Sequence, residues 1–142
     1  MALANEERAG LLSRCTLFQG LDADGLAVIA RRATEVEFPA GHVIARQGEI
    51  GTGLFIIVSG AVKVVRSGDL LARLGTGDFF GELSVLDRMP RTASVTTEAQ
   101  TRCLALASWD FEATVAESPS VAMAILRGLA LRLRELTEAD RH

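Results

Sequence analysis

The chain has 142 residues, 49% hydrophobic and 23% charged, which is the composition of an ordinary globular protein long enough to bury a core without disulfides. Its formal net charge of −3 gives no general attraction to nucleic acid or to an anionic membrane surface. Two cysteines far apart, no N-terminal signal segment and no apolar run of about 18 residues predict a reduced, cytoplasmic protein with no direct contact to nucleic acid or membrane.

Helices are predicted for residues 1–33. A short first helix is expected over residues 5–14, where two glutamates near its N-terminus are favoured by the helix dipole. Asp22 is the predicted N-cap of a second helix that extends to about Ala33. This helix is expected to pack on the outside of the segment that follows. Its apolar stripe consists of Leu26, Ile29, Ala30 and Ala33.

From Thr34 onward the spacing of apolar residues changes to a period of two, which predicts strands. Val36 and Phe38 alternate with glutamates, and glycines separate the later apolar runs. Many short strands with glycine turns are typical of a sandwich, barrel or jelly roll, which we expect over residues 34–107. The predicted strands are residues 34–38, 43–46, 54–59, 61–66, 70–74, 93–98 and 102–107.

A pair of helices is predicted for residues 108–142. Ser108 is the predicted cap of the first, and Ser118, with Pro119 at the first helical position, begins the second. The last helix carries two apolar stripes, so one face should meet a surface other than the barrel. Gly128 is expected where another helix approaches closely. The first stripe is Ala122, Ile125, Leu129, Leu133 and Leu136; the second is Met123, Ala124, Ala130 and Leu131.

The stretch FGELSVLDRMPRTASV, residues 80–95, places a carboxylate and a guanidinium in one short loop. Gly81 permits a positive φ and lets a ligand come close. Arg91 can hold two phosphate oxygens with its planar fork, and Pro90 stiffens its approach. Glu82 would repel a phosphate but can accept a hydrogen bond from a ligand hydroxyl, such as a ribose 2′-hydroxyl. The loop is therefore predicted to wrap a small anionic ligand that also carries a hydroxyl.

This stretch resembles the phosphate-binding cassette of the cyclic nucleotide-binding domain family. That family includes bacterial Crp/Fnr regulators, regulatory subunits of cyclic-nucleotide-dependent kinases and cyclic-nucleotide-gated channels. The resemblance implies one mainly β domain with flanking helices: an antiparallel β-roll or jelly-roll barrel with N-terminal helices and a C-terminal helix pair. It covers roughly residues 15–140, because three further motifs match pieces of the family's barrel in the same order. They are PAGHVIARQGE (39–49), SGAVKV (59–64) and GTGDFFGE (75–82).

The resemblance implies a role for each residue that matches the family's motif. By this resemblance the cyclic phosphate would be bound by Arg91, Thr92, Ala93 and Leu83, and the ribose by Gly81 and Glu82. The base would be contacted by Val62, Val64 and Leu71 of the barrel and by Arg132, Leu136 and Thr137 of the last helix. Core packing explains the three barrel residues equally well, and a solvated pair with Glu135 explains Arg132.

The implied ligand is cAMP or cGMP. Thr92 often accompanies cGMP in this family, yet some members with threonine there prefer cAMP, so the choice stays open, with cAMP favoured for a bacterial source. No metal is expected, since His42 and His142 are the only histidines and cannot form the ligand cluster of a cupin metalloenzyme. The sequence has no nucleophile elbow and no P-loop motif, so no catalytic activity is predicted.

The predicted output is a conformational signal passed to a partner. The matching helix of Crp/Fnr regulators builds a dimer, so a homodimer through the last helix is expected, together with an unknown downstream protein. Those regulators continue into a helix-turn-helix domain, whereas this sequence stops at His142. A free-standing sensor, a nucleotide buffer and a fragment of a longer regulator all fit. The alternative is a ligand-free scaffold that binds proteins through the apolar face of Met123, Ala130 and Leu131 on the last helix, although the presence of both Glu82 and Arg91 speaks against it.

Overall fold

The computed structural model describes residues 2–51, 53–82 and 84–139, and the first part is helical as predicted. Helix α1 is Asn5–Leu12, a 3-10 turn follows at Thr16–Phe18, and helix α2 is Ala23–Arg32. The Asp22 carboxylate accepts a 2.8 Å hydrogen bond from the Gly25 N–H, so the predicted N-cap is confirmed. The predicted apolar stripe of α2 faces the core, where Ile29 and Ala30 are fully buried.

Within the described residues, eight antiparallel strands form two sheets, which confirms the mainly β fold with flanking helices. One sheet has the strand order β1-β8-β3-β6 and the other β2-β7-β4-β5. The two-residue strand β6 was not predicted, because it is too short to create a periodic pattern. The strands are β1 Thr34–Phe38, β2 Val43–Ala45, β3 Gly53–Ser59, β4 Val62–Arg66, β5 Asp69–Leu74, β6 Phe79–Phe80, β7 Ser94–Thr97 and β8 Thr101–Ala107.

The strands β3 and β8 lie between two apolar clusters. Leu54 and Ile56 of β3 face the cluster shared with the helices, while Ile57 of the same strand faces the cluster between the sheets. Because successive side chains of a strand point to opposite faces, a strand covered on both faces must be apolar throughout. This requirement explains the continuous apolar run at residues 54–58, which lacks the alternation of β1.

The part of the chain that the structure describes contains three further helices: α3 Ser84–Asp87, α4 Ser108–Glu117 and α5 Pro119–Ala139. The predicted start of α5 is confirmed, since the Ser118 hydroxyl accepts from the Val121 N–H at 3.4 Å. The predicted capping role of Ser108 is wrong. Strand β8 runs directly into α4, so the residue before the helix is Ala107, and Ser108 is buried as the first helical residue without a side-chain cap.

Helix α5 packs on the core through its first half only. Val121, Ile125 and Leu129 contact the cluster shared with the helices, whereas Leu133 and Leu136 of the predicted stripe are 65% and 49% exposed. The expectation that a helix approaches Gly128 also needs correction. A Cβ added at Gly128 would lie 3.4 Å from the backbone nitrogen of Gly20, in the loop after the 3-10 turn. That loop of the same chain is what glycine accommodates there.

Candidate ligand-binding site

The predicted cassette connects β6 to β7 and passes through the single turn of α3. Phe80 of β6 pairs with Phe55 of β3, which anchors the start of the connection to the sheet. Its second half lies against the loop before β3: the Arg91 N–H donates to the Glu49 carbonyl and the Gly48 N–H donates to the Arg91 carbonyl, both at 2.8 Å. These paired bonds fix the backbone of Arg91 beside the entrance to β3.

The guanidinium of Arg91 is half-buried and has one acceptor among the residues that the structure describes. Its Nη2 donates to the carbonyl of Gly53 at 3.1 Å. Burial lowers the pKa of Arg91, and the negative charge of Glu82 opposes that change. Among residues 2–51, 53–82 and 84–139 no carboxylate forms an ion pair with Arg91. A surface salt bridge between Arg91 and Glu82 therefore does not explain why both residues occur in this loop. A guanidinium has five N–H donors, so most of them remain for an anion.

Gly81 packs directly against this guanidinium. Its φ is +83°, the left-handed conformation that the sequence predicted. A Cβ at this position would lie 2.6 Å from the carbonyl oxygen of Gly53 and 2.8 Å from Nη1 of Arg91. Both the backbone conformation and the space therefore require glycine, and the missing side chain is what lets Arg91 reach the Gly53 carbonyl.

These groups border a pocket of about 280 Å³. Six of the residues that the sequence predicted for the site line it together, and three others, Phe79, Phe80 and Val95, were not predicted. In the part of the chain that the structure describes, the N–H groups of Thr92 and Ala93 have no hydrogen-bond partner, so they are available to a ligand. The six predicted residues are Val64, Gly81, Glu82, Arg91, Thr92 and Ala93.

The other predicted site residues lie elsewhere. Leu83 is outside the described residues. Val62 is fully buried in the cluster between the sheets, and Leu71 is 48% exposed on strand β5. Arg132, Leu136 and Thr137 are exposed on α5 and do not line the pocket; Arg132 pairs instead with Glu135 at 3.4 Å. The structure therefore brings together the predicted phosphate and ribose residues that it describes, but of the predicted base residues only Val64.

The unpredicted aromatic wall of the pocket belongs to a row of stacked rings. Phe80 stacks on Phe55 with a centroid distance of 5.2 Å and an interplanar angle of 14°. Phe55 in turn meets the edge of Phe38 at 6.2 Å. The only sequence signal for this wall was the Phe-Phe pair directly before Gly81, which the predicted strands did not include. Phe79 and Phe80 line the pocket and give it an apolar side.

Neither cysteine offers a reactive thiolate. Burial is the main cause that raises the pKa of Cys15 to about 12, and the nearby charge of Glu82 adds to it. Burial likewise raises the pKa of Cys103 to about 11. Within the described residues, no three His, Cys, Asp or Glu side chains cluster as metal ligands would. None of the helices described here has both the length and the apolar character needed to cross a membrane.

Comparison with known proteins identifies the kind of domain that this roll and its pocket form. The model of the cyclic nucleotide-binding domain matches residues 35–118, which include the cassette. The chain is 37% identical over 129 residues to a CRP-like cAMP-activated global transcriptional regulator of Mycobacterium tuberculosis, covering 87% of this chain and 58% of the regulator. It is 38% identical over 124 residues to a cyclic nucleotide-gated potassium channel of Rhizobium etli, covering 87% and 34% respectively.

Among solved structures, the N-terminal domain of a transcriptional regulator from Streptomyces coelicolor superposes with a TM-score of 0.84 at 34% identity, covering 91% of this chain and 96% of that domain. This chain therefore shares its architecture with the N-terminal domain of a transcriptional regulator. The chain belongs to the cyclic nucleotide-binding domain family, as the resemblance predicted. It spans a little over half the length of the Mycobacterium regulator, at 58%.

Proposed function

We propose that this chain binds a cyclic nucleotide, cAMP or cGMP, in the pocket of the cassette and works as a sensor module without catalytic activity. The observation that carries the proposal is the half-buried guanidinium of Arg91, which has unused donors and lies at the pocket with Glu82. The phosphate binds Arg91 and the free N–H groups of Thr92 and Ala93. The ribose lies at Gly81, with its 2′-hydroxyl donating to the Glu82 carboxylate.

The base occupies the apolar side of the pocket, next to Val64 and Phe80. We further propose that Arg132, Leu136 and Thr137 reach the base when the distal half of α5 closes over it. Support comes from the exposure of that half, which the rest of the described chain does not cover. A ligand shifts such an equilibrium only by as much as it favours one state, so contacts between base and helix would be the source of the signal.

Two further observations bear on the choice of nucleotide and on the compartment. The name of the Mycobacterium relative, a cAMP-activated regulator, favours cAMP as the first ligand to test. Thr92 lines the pocket without choosing between the two bases. A reducing compartment, the cytoplasm, is supported by two buried free thiols, Cys15 and Cys103.

The role of Glu82 is tested with a ligand that lacks the 2′-hydroxyl. Replacing cAMP by 2′-deoxy-cAMP is expected to weaken binding to the wild type roughly 10- to 100-fold, because a hydrogen bond to a carboxylate is worth about 1.5–3 kcal/mol. Glu82→Gln is expected to reduce the affinity for cAMP by a similar factor. Its affinity for 2′-deoxy-cAMP should show no loss beyond that factor. Calorimetric titration of both ligands into both proteins measures the four affinities.

The matched control is Glu117→Gln, which neutralises an exposed carboxylate on α4, outside the pocket, paired with Arg32. It is expected to discriminate between the two ligands as the wild type does. If the losses from Glu82→Gln and from the deoxy ligand simply multiply, the carboxylate does not contact the ribose hydroxyl, and the placement of the ribose fails.

We also propose that two copies pair through α5. Exposed residues recur along this helix at the spacing of a coiled-coil seam, with steps of three and four residues. Three of the large ones, Met123, Leu126 and Leu133, are 49%, 59% and 65% exposed, which is a cost to an isolated chain in water. The seam consists of Met123, Leu126, Ala130 and Leu133. It includes two residues, Met123 and Ala130, of the face through which a ligand-free scaffold would bind another protein.

Light scattering during size exclusion is expected to give the mass of a dimer at micromolar concentration for the wild type. Leu126→Glu is expected to give a monomer, because it places two carboxylates in the apolar seam. Leu70→Glu, which changes a 49%-exposed leucine on strand β5, is the control and should stay dimeric. A monomeric wild type would contradict the proposed pairing and leave the apolar seam to an unidentified downstream protein.

A further inference from the structure

A second arginine contacts the cassette. Arg66, the last residue of β4, donates from Nε to the carbonyl of Thr92 at 3.1 Å. Residues two apart on a strand share a face, so Arg66 lies on the same side of β4 as the pocket residue Val64. The register that pairs Val65 with Ser94 places Arg66 beside Ala93. No carboxylate of the described residues forms an ion pair with Arg66.

Gln47 forms hydrogen bonds both to Ser67, which follows Arg66, and to Ser94, which follows Ala93. The Ser67 N–H, next to Arg66, donates to Oε1 of Gln47 at 2.8 Å, and Nε2 of Gln47 donates to the Ser67 hydroxyl at 3.2 Å. The N–H of Gln47 donates to the hydroxyl of Ser94, the first residue of β7, at 2.9 Å. The φ of Ser67 is +50°, an uncommon value for serine that these bonds stabilise.

The bond from Arg66 to the Thr92 carbonyl sets the orientation of the peptide group between Thr92 and Ala93. All peptide bonds of the described chain are trans, so the Thr92 carbonyl and the Ala93 N–H point in opposite directions. When Arg66 holds the carbonyl on its side, the plane of the peptide can no longer rotate freely. The N–H is then directed away from Arg66, and it has no partner among the residues described.

We propose that Arg66 is a positioning residue for the nucleotide: by holding the Thr92 carbonyl it aims the Ala93 N–H at one exocyclic oxygen of the cyclic phosphate. This inference rests on the proposed function. Arg66 itself contacts the peptide, and its guanidinium also brings a second positive charge to the phosphate end of the pocket. No sequence motif indicates this role, because Arg66 lies 25 residues before Arg91 in an ordinary strand position.

The test compares cAMP with its two phosphorothioate diastereomers, in each of which sulfur replaces a different exocyclic oxygen. Sulfur is a poor hydrogen-bond acceptor, so the wild type should discriminate against the diastereomer with sulfur facing the Ala93 N–H. Arg66→Met is expected to weaken cAMP binding about tenfold and to bring the ratio of the two diastereomer affinities closer to one. Arg66→Lys should recover part of both effects. Calorimetric titration measures each affinity.

Arg73→Met is the matched control, because Arg73 is exposed on the neighbouring strand and paired with Glu98 outside the pocket. It should keep both the affinity and the ratio of the wild type, and thermal melts without ligand should match for both methionine variants. An unchanged ratio in Arg66→Met, with cAMP and both diastereomers weakened equally, would mean that Arg66 acts by charge alone and would overturn the positioning role. An unchanged cAMP affinity would overturn it too. If the wild type binds none of the three ligands, the proposed function itself fails.

Discussion

Arg91→Leu is expected to weaken cyclic-nucleotide binding by at least roughly 30-fold and by as much as a few thousand-fold. Removing one partner of a buried, hydrogen-bonded charge pair costs about 2–5 kcal/mol, and each 1.4 kcal/mol is about tenfold in affinity. Loss of the half-buried guanidinium of Arg91 would leave the phosphate without its countercharge, in a pocket that also holds the Glu82 carboxylate. The ligand would then meet a negative charge without a compensating positive one. Calorimetric titration of cAMP into the variant measures the loss.

Two further variants separate the charge of Arg91 from its geometry. Arg91→Lys keeps the charge but not the planar fork, so an intermediate affinity is expected. Arg73→Leu removes an arginine that is 66% exposed on β5 and should bind as the wild type does. Because Arg91 also donates to the Gly53 carbonyl, the melting temperature of each variant without ligand must be compared. A folded Arg91→Leu protein that binds with wild-type affinity would remove Arg91 from the site.

Gly81→Ala is expected to weaken binding strongly and also to destabilise the fold. A left-handed residue other than glycine costs about 1–2 kcal/mol, and the φ of Gly81 is +83°. The added Cβ would lie 2.6 Å from the Gly53 carbonyl oxygen and 2.8 Å from Nη1 of Arg91. These contacts are too short to persist, so the carbonyl and the guanidinium must move apart. The loss of affinity should approach that of Arg91→Leu, and calorimetry together with a urea unfolding curve measures both effects.

Gly41→Ala is the matched control for this substitution. Gly41 also has a positive φ, of +76°, but a Cβ there would meet no atom within 4 Å. Its free energy of unfolding should therefore fall only by the backbone cost of about 1–2 kcal/mol, and the variant should bind the nucleotide as the wild type does. If the two alanine variants were equally stable and bound equally well, the close packing of Gly81 on Arg91 would have no functional role.

The chemistry of the cassette was predictable because it depends on neighbours in sequence. Gly81, Glu82 and Arg91 lie within one short connection, and the residue types alone specify a positive φ, an acceptor and a phosphate-binding fork. The N-cap at Asp22 and the start of α5 at Pro119 were predictable for the same reason. In each case the deciding hydrogen bond or conformation is local.

Features that depend on the tertiary fold were not predictable. Val62 and Val64 share one face of β4, and only the placement of the second sheet decides that Val62 is buried while Val64 lines the pocket. The contact at Gly128 comes from a loop more than 100 residues earlier in the chain. Arg66 reaches Thr92 across neighbouring strands. No periodicity reports such pairings, because they arise when the two sheets and α5 are assembled.

The most direct test of the account is calorimetric titration of cAMP and cGMP, separately, into wild-type protein stripped of nucleotide. Unfolding and refolding on a column removes bound nucleotide, and an absorbance spectrum without a nucleotide contribution establishes the ligand-free state. We expect binding of one nucleotide per chain at micromolar or tighter affinity, and the tighter ligand shows which of the two nucleotides the pocket prefers. Absence of binding by both nucleotides to the folded, ligand-free protein would contradict the central claim and leave protein contact through α5 as the function to pursue.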